Sequence, residues 1–541
     1  MGITSTVCSS LEKIFSGCGV LPAKITGIPV LKGETVNVQF ALLSDKDVKV
    51  KVTAECKLPV KLYEVKEIYS SFPLNIEHAR RCTMLNGGAP GYYPDLLLPT
   101  DGAVELEAGK AKSVWAEIVT DGCAAGEYEL AFSAKACRVN VTESVTVKLA
   151  DCLLPEQKLV HTNWFHTDCL STYYKAEVFG EEYWRIVENF MTSAAKHGVN
   201  CILTPLFTPP LDTEEGSERP TVQLVDVTKK GYTYTFGFEK LDRWVDTAFR
   251  CGIKYFELSH LYTQWGARHA PKIMAQTKDG YRRIFGWETD SVSQGYTSFL
   301  RQFAAALTEY TDKKGITKKC YVHCSDEPGL KALARYRRTS DVVRKYFGAY
   351  EHIDAMSDYE FYKLGLMQTP VPHQTNINDF AGKVPSLWTY HCCGSYPDEQ
   401  PNRFFALPSI KNRILGTLLY KYDCAGFLQW GFNFYYTQLS RRPVDPFTET
   451  DAGGAFPSGD AFIVYPGENG EPLPSLRQQV FADGIKDISA LRALEEKTSR
   501  EYVLSLIREQ LGDIDFHHYP LDIRTFEKFR ETLIREIETH S

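Results

Sequence analysis

Residues 319–328, KCYVHCSDEP, set the terms for the whole chain. The run starts like a strand and ends in two adjacent carboxylates followed at once by a proline. Neighbouring side chains of a regular strand point to opposite faces, so Asp326 and Glu327 cannot both line one surface while the strand continues. Pro328 lacks a backbone donor and pushes Glu327 toward extended geometry, which ends any ladder there. The pair is therefore expected at a strand's C-terminal mouth, where the backbone bends and both carboxylates face one cavity. A plain acidic turn has the same composition, because Asp, Pro and Gly are ordinary turn residues. The rest of the chain decides between the two.

Around this run the pattern is strand then helix. Candidate strands are 159–168, 200–207, 253–260, 319–328, 353–358, 386–393, 424–433 and 461–466. Between them, 181–198 and 295–315 carry apolar residues at helical spacing and end in glycine. Eight such units predict a (β/α)8 barrel over residues 153–491, with Asp326 and Glu327 at the end of its fourth strand. A doubly wound sheet competes, but no Gly-rich phosphate loop follows a first strand. Residues 1–152 alternate apolar and polar residues between turn signals, as in 36–56 and 126–151, and predict an antiparallel β-sandwich. Residues 492–541 read as a helical extension of the barrel.

With 541 residues, two or three domains are expected. The net charge of −7 argues against a nucleic-acid partner. No apolar run is long enough for a membrane span. The N-terminus lacks a basic segment followed by an apolar one, so a cytoplasmic protein is expected. Fifteen scattered cysteines without a CxxC pair then read as reduced thiols. No His and carboxylate cluster has metal spacing, so neither metal nor cofactor is expected.

Two carboxylates in different environments suit glycosidic bond cleavage, one protonating the leaving oxygen and the other remaining charged. Adjacency constrains the route. Ordinary retaining and inverting enzymes place the two on opposite sides of the bond. Consecutive residues more readily reach neighbouring atoms on one side of a sugar. That fits the exception in which the sugar's own 2-acetamido oxygen attacks the anomeric carbon. Asp326 then orients the acetamido N–H, while Glu327 protonates the leaving group and later deprotonates water.

HCSDEP, the sandwich-then-barrel order, and the closing FIVYPG…LPSLRQQVFADGIKDISAL resemble glycoside hydrolase family 123 from the N-terminal sandwich to about residue 491. The resemblance implies a retaining exo-β-N-acetylgalactosaminidase acting on a glycan through an oxazolinium intermediate. It also implies Asp326 as the acetamido-stabilising residue and Glu327 as acid/base. Two rivals stay open: a glycosidase for a sugar without the acetamido group, and a non-catalytic carbohydrate-binding barrel. Trp388, Tyr390 and His391 on the sixth candidate strand, Trp430 and Asn433 on the seventh, and Tyr465 on the eighth are candidate sugar contacts. Asn163 and His260 join them from the first and third. Glu257, three residues before its strand's end, reads as an interior hydrogen-bond partner. Asp483 and Asp487, four apart on a helix, read as structural salt links.

Overall fold

The alternating N-terminal runs fold as strands. The computed structural model describes residues 2–75, 84–136, 138–395 and 399–540. In chain order the strands are β1 (Ile3–Ser9), β2 (Gly27–Lys32), β3 (Thr35–Ser44), β4 (Val48–Glu55), β5 (Val60–Ser70), β6 (Gly91–Pro99), β7 (Ala103–Leu106), β8 (Ala111–Val119), β9 (Gly126–Ala136) and β10 (Val139–Leu153). They form two five-stranded sheets, β1-β3-β8-β5-β6 and β2-β10-β9-β4-β7. Within β4, Val50 and Val52 are buried while Lys49 and Lys51 face solvent, so one face makes the core. There Phe40 stacks on Phe132 with ring centroids 5.0 Å apart. One edge departs from the expected antiparallel order, because β2 runs parallel to β10. The two strands are far apart in sequence, so no hairpin forces them antiparallel.

The second face of β8 is buried as well, and it docks the sandwich on the barrel. Glu117 accepts from Lys196 and Gln479. Trp115 Nε1 donates to Asn37, whose amide donates to Asp483. The buried Arg477 guanidinium grips Asp95 through two bonds of 2.7 and 2.9 Å.

The barrel begins with β11 (Val160–Asn163), α1 (Thr167–Tyr174), α2 (Glu181–Lys196) and β12 (Cys201–Thr204). A four-stranded sheet grows from the loops at the barrel mouth: β13 (Asp226–Lys230) and β14 (Thr233–Gly237) precede α3 (Glu239–Cys251) and β15 (Tyr255–Leu258), and β16 (Ile273–Thr277) and β17 (Gly280–Phe285) follow. The chain continues with α4 (Gln294–Lys314), β18 (Cys320–Val322), α5 (Leu333–Tyr346), β19 (Glu351–Ala355), α6 (Tyr359–Lys363), β20 (Thr369–Val371), α7 (Ile377–Phe380), β21 (Leu387–Tyr390), α8 (Ser409–Arg413), α9 (Leu415–Lys421) and β22 (Cys424–Gln429). The parallel order β20-β19-β18-β15-β12-β11-β22-β21 wraps round until His373 bridges Tyr390 and closes the ring.

Seven of the eight expected strands lie in this ring, and β18 is the fourth. The eighth does not. Residues 461–466 supply β23 (Val464–Pro466), which pairs antiparallel with β24 (Pro472–Pro474) outside the barrel. The place is taken by β20, three residues with a central proline, too short and too proline-marked to read as a strand. The run 386–393 is therefore the seventh strand and 424–433 the eighth.

Inside the ring Trp388 packs edge-on against Tyr321, centroids 5.3 Å apart. Its indole crosses β22 at Gly426, where an added Cβ would sit 2.1 Å from the ring. Gly426→Ala is expected to destabilise the fold by about 1–3 kcal/mol through overpacking, read as a lowered Tm by calorimetry.

Three helices finish the chain: α10 (Leu476–Lys497), α11 (Arg500–Leu511) and α12 (Ile523–Thr539). As expected, Asp483 and Asp487 make structural salt links, to Arg413 and, from Asp487, also to Arg530. Arg530 on α12 reaches back to Glu34 in the sandwich at 2.9 Å. Among the described residues no helix is long and apolar enough to cross a membrane. The thirteen described cysteines are free thiols; Cys82 and Cys137 lie outside the described residues.

Candidate active site

Beyond Val322 the chain leaves the ladder, and Glu327 takes a left-handed backbone conformation with φ +42°. That corrects the extended geometry expected before Pro328. The turn is held from both sides: Glu327 N–H donates to Ala355 of β19 at 3.1 Å, and Trp265 N–H donates to the Asp326 carbonyl at 2.7 Å. The reversed φ breaks the strand's alternation. Both carboxylates then line one cleft, as the opening run required. Asp212 (φ +40°) and Trp265 (φ +57°), also in that cleft, share this costly conformation, a concentration of backbone strain usual at functional sites.

The cleft has a volume of about 120 Å³. Trp164, Trp265, Tyr390, Trp430 and Phe456 supply aromatic walls, and Asp212, Gln264, Asp326 and Glu327 the principal polar groups. A wider groove of about 680 Å³ opens on the far side of Glu327, and Glu327 and Tyr390 are the residues the two share. Glu327 and Tyr390 thus stand at the boundary between cleft and groove. The Tyr390 hydroxyl donates to Glu327 Oε1. Burial, then the neighbouring Glu327 charge, push the Asp326 carboxyl well above the usual range. Among the described residues, none of the sandwich lines the cleft.

Of the candidate sugar contacts, Tyr390 and Trp430 line this cleft, Trp430 steadied by a 3.0 Å bond from Nε1 to Asp460. The others do not. Trp388, two residues before Tyr390, fills the barrel interior one layer down. His391 points outward, edge-on to Phe427 at 5.2 Å. The Asn433 side chain is spent on the His166 backbone, accepting from its N–H and donating to its carbonyl. Tyr465 donates to Asp95 at the sandwich contact. Asn163 alternates with inward-facing Thr162 and Trp164 and so faces away from the interior. His260 lies beneath the cleft, stacked on His323 at 4.2 Å.

Sequence reasoning missed Asp212, Gln264, Trp265 and Phe456, all on loops without strand or helix period. A tryptophan before a glycine, as at Trp265–Gly266, was the one visible signal. Asp212 accepts from Leu439 N–H at 3.0 Å through Oδ2. Burial raises its carboxyl to about 6, against the pull of that bond. Asp212→Asn is expected to weaken substrate binding by about 10–100-fold, the worth of a charged hydrogen bond, with kcat nearly unchanged. Because the charged form is the better acceptor, wild-type KM should fall as pH rises through about 6; a pH series of initial rates checks both.

Under this cleft lies a buried chain of ionisable side chains. Glu257 accepts from Trp164 Nε1 at 2.7 Å and from the Thr162 hydroxyl, the interior bonding expected of it. His323 Nε2 is 2.5 Å from Glu257 Oε1, and its Nδ1 is 3.2 Å from Asp354 Oδ1. Among the described residues no group of His, Cys, Asp and Glu is arranged to hold a metal ion.

A family model for the catalytic domain of glycoside hydrolase 123 matches residues 164–494. The chain belongs to glycoside hydrolase family 123. The protein is thus a glycoside hydrolase, and the matched span holds every cleft residue named above. A solved family 123 glycoside hydrolase from Clostridium perfringens, described for glycolipid glycan hydrolysis, superposes with a TM-score of 0.75 at 14% identity, covering 100% of this chain and 97% of that one. The shared fold thus includes the sandwich and terminal helices. A Parabacteroides merdae β-glucuronidase (TM-score 0.33, 11% identity, 89% and 52% covered) and a Thermotoga petrophila endo-β-1,4-mannanase (0.34, 12%, 62% and 76%) match too loosely to bear on the argument. No curated protein sequence matches.

Proposed function

We propose that the protein is a retaining exo-β-N-acetylhexosaminidase that removes terminal β-linked N-acetylgalactosamine through an oxazolinium intermediate. One observation carries the reading: Asp326 and Glu327, consecutive in sequence, turn into one cleft, and Glu327 alone of the pair also borders the outer groove. The terminal sugar occupies the aromatic-walled cleft and its leaving group the groove. Glu327 then meets the glycosidic oxygen, donates a proton, and in the second half-reaction takes one from water. Asp326 accepts the acetamido N–H, which fixes the carbonyl oxygen for attack on the anomeric carbon and balances the positive charge that develops. Burial and the Glu327 charge favour neutral Asp326; an N–H donor and a cationic ring both favour its charged form.

Asp212 supports a second reading. It is a further carboxylate in the cleft, and a glycosidase for sugars without the acetamido group needs a separate nucleophile. Aryl β-glycosides of N-acetylgalactosamine, N-acetylglucosamine and galactose decide between them. Turnover confined to the acetamido sugars, with retained configuration by NMR and survival of kcat in Asp212→Asn, supports the proposal. Cleavage of the plain galactoside that Asp212→Asn abolishes overturns it.

A further inference from the structure

We propose that His323, with Glu257 and Asp354, is a positioning device that holds the catalytic turn and the Trp164 wall of the cleft in register. The inference rests on the roles given above to Asp326 and Glu327. Asp354 on β19 accepts from the backbone N–H groups of Cys324 (2.9 Å) and Ser325 (3.3 Å), the two residues before the catalytic pair. It also accepts from the Tyr336 hydroxyl and lies 3.1 Å from His352 Nε2. Glu257 on β15 grips Trp164, whose ring lines the cleft. His323 ties these two carboxylates together, so one continuous chain runs from the tryptophan wall to the turn. All three members are fully buried.

A bridge between two buried carboxylates needs a donor on each ring nitrogen, and only imidazolium supplies both. Burial opposes the charge, but Glu257 and Asp354 outweigh it and raise the His323 ring to about 9. The groups facing the ring are Glu257 and His260 from β15 and its loop, Asp354 from β19, Asp326 from its own segment, and uncharged Trp164 just past β11. His260 stays neutral against it, pushed well down by burial and then by the His323 charge. Since the folded value lies above the ordinary 6.5, the stability from this bridge is complete below that pH and is lost as pH rises through about 9.

Two measurements test the device. In wild-type protein labelled with nitrogen-15 histidine, one imidazole should carry two protonated nitrogens at pH 7.5 and titrate near 9; this reading needs no substrate, so it stands or falls apart from the proposed activity. His323→Gln keeps hydrogen bonding without the charge. It should remove that signal and lower kcat about 10–100-fold, the order of loss that a small misplacement of catalytic groups causes, with KM within threefold. The acid limb of its kcat/KM profile should move to higher pH, because a positive charge near Asp326 is gone. Asp354→Asn, which keeps an acceptor for Cys324 and Ser325, should likewise lose the high titration. If the wild-type ring near Asp354 is neutral at pH 7.5, the device is absent even should both variants misfold. If folded His323→Gln turns over normally with an unchanged profile, the chain is packing only.

Discussion

Glu327→Gln should lower turnover of a substrate with a poor leaving group by about 10²–10⁴-fold, the worth of a positioned general acid. The substitution is a clean one. Glutamine keeps a carbonyl oxygen where Glu327 Oε1 accepts from Tyr390, and Glu327 is exposed, so no buried group is orphaned and the Tm should stay close to wild type. What disappears is the proton. A leaving group that departs without protonation, such as dinitrophenolate, should therefore lose far less in the first step, and the slower hydrolysis of the intermediate should appear as a burst. Azide, which needs no general base, should restore rate and yield a β-azide. A uniform loss with every leaving group would assign the proton donor elsewhere, and Asp326, the carboxyl that burial pushes toward its neutral form, would be the alternative.

The opening run was legible because a local contradiction announced it. Two adjacent carboxylates cannot share a face of a strand, so the chain had to bend, and a barrel mouth is where bending strands deliver side chains. Which way it bent was not legible. A proline argues for extended geometry at the residue before it, and the bonds from Glu327 to Ala355 and from Trp265 to Asp326 override that preference. Strand phase set a similar limit. The run 386–393 advertises Trp388, Tyr390 and His391 together, but alternation sends Trp388 and Tyr390 inward at different depths and His391 outward, and nothing local gives the depth. The ring's count failed at β20 for the opposite reason: its short ladder is held by its neighbours, while 461–466, more strand-like by composition, pairs with a proline-rich hairpin partner instead. Asp212 and Gln264 sit on loops whose positions depend on β12 and β15 being adjacent, and no pattern within either segment carries that.

Asp326→Asn should cost about 10²–10³-fold in kcat/KM, the usual loss on removing one preorganised electrostatic partner, and should cost it equally for good and poor leaving groups. The reasoning separates the two halves of the pair. Protonating the leaving oxygen matters only when that oxygen needs help. Orienting the acetamido group and balancing the oxazolinium charge matter for every substrate, because ring formation precedes or accompanies every departure. The pH profile gives an independent reading. Burial, the largest influence on Asp326, raises it even with Glu327 protonated as its role requires, so wild-type kcat/KM should show an acid limb above the ordinary carboxylate range, where the free enzyme gives up that proton to work. The limb rises with pH because the charged form is the competent one. Asparagine has no proton to lose, so the Asp326 part of this limb should vanish from the variant, leaving the rise near 6 that Asp212 contributes through KM and the alkaline limb. A variant whose acid limb is unchanged from wild type, or that fails only with poor leaving groups, would exchange the roles of the two residues; one that cleaves a plain galactoside as well as wild type does would remove the acetamido group from the mechanism and leave Asp212 as the nucleophile to test.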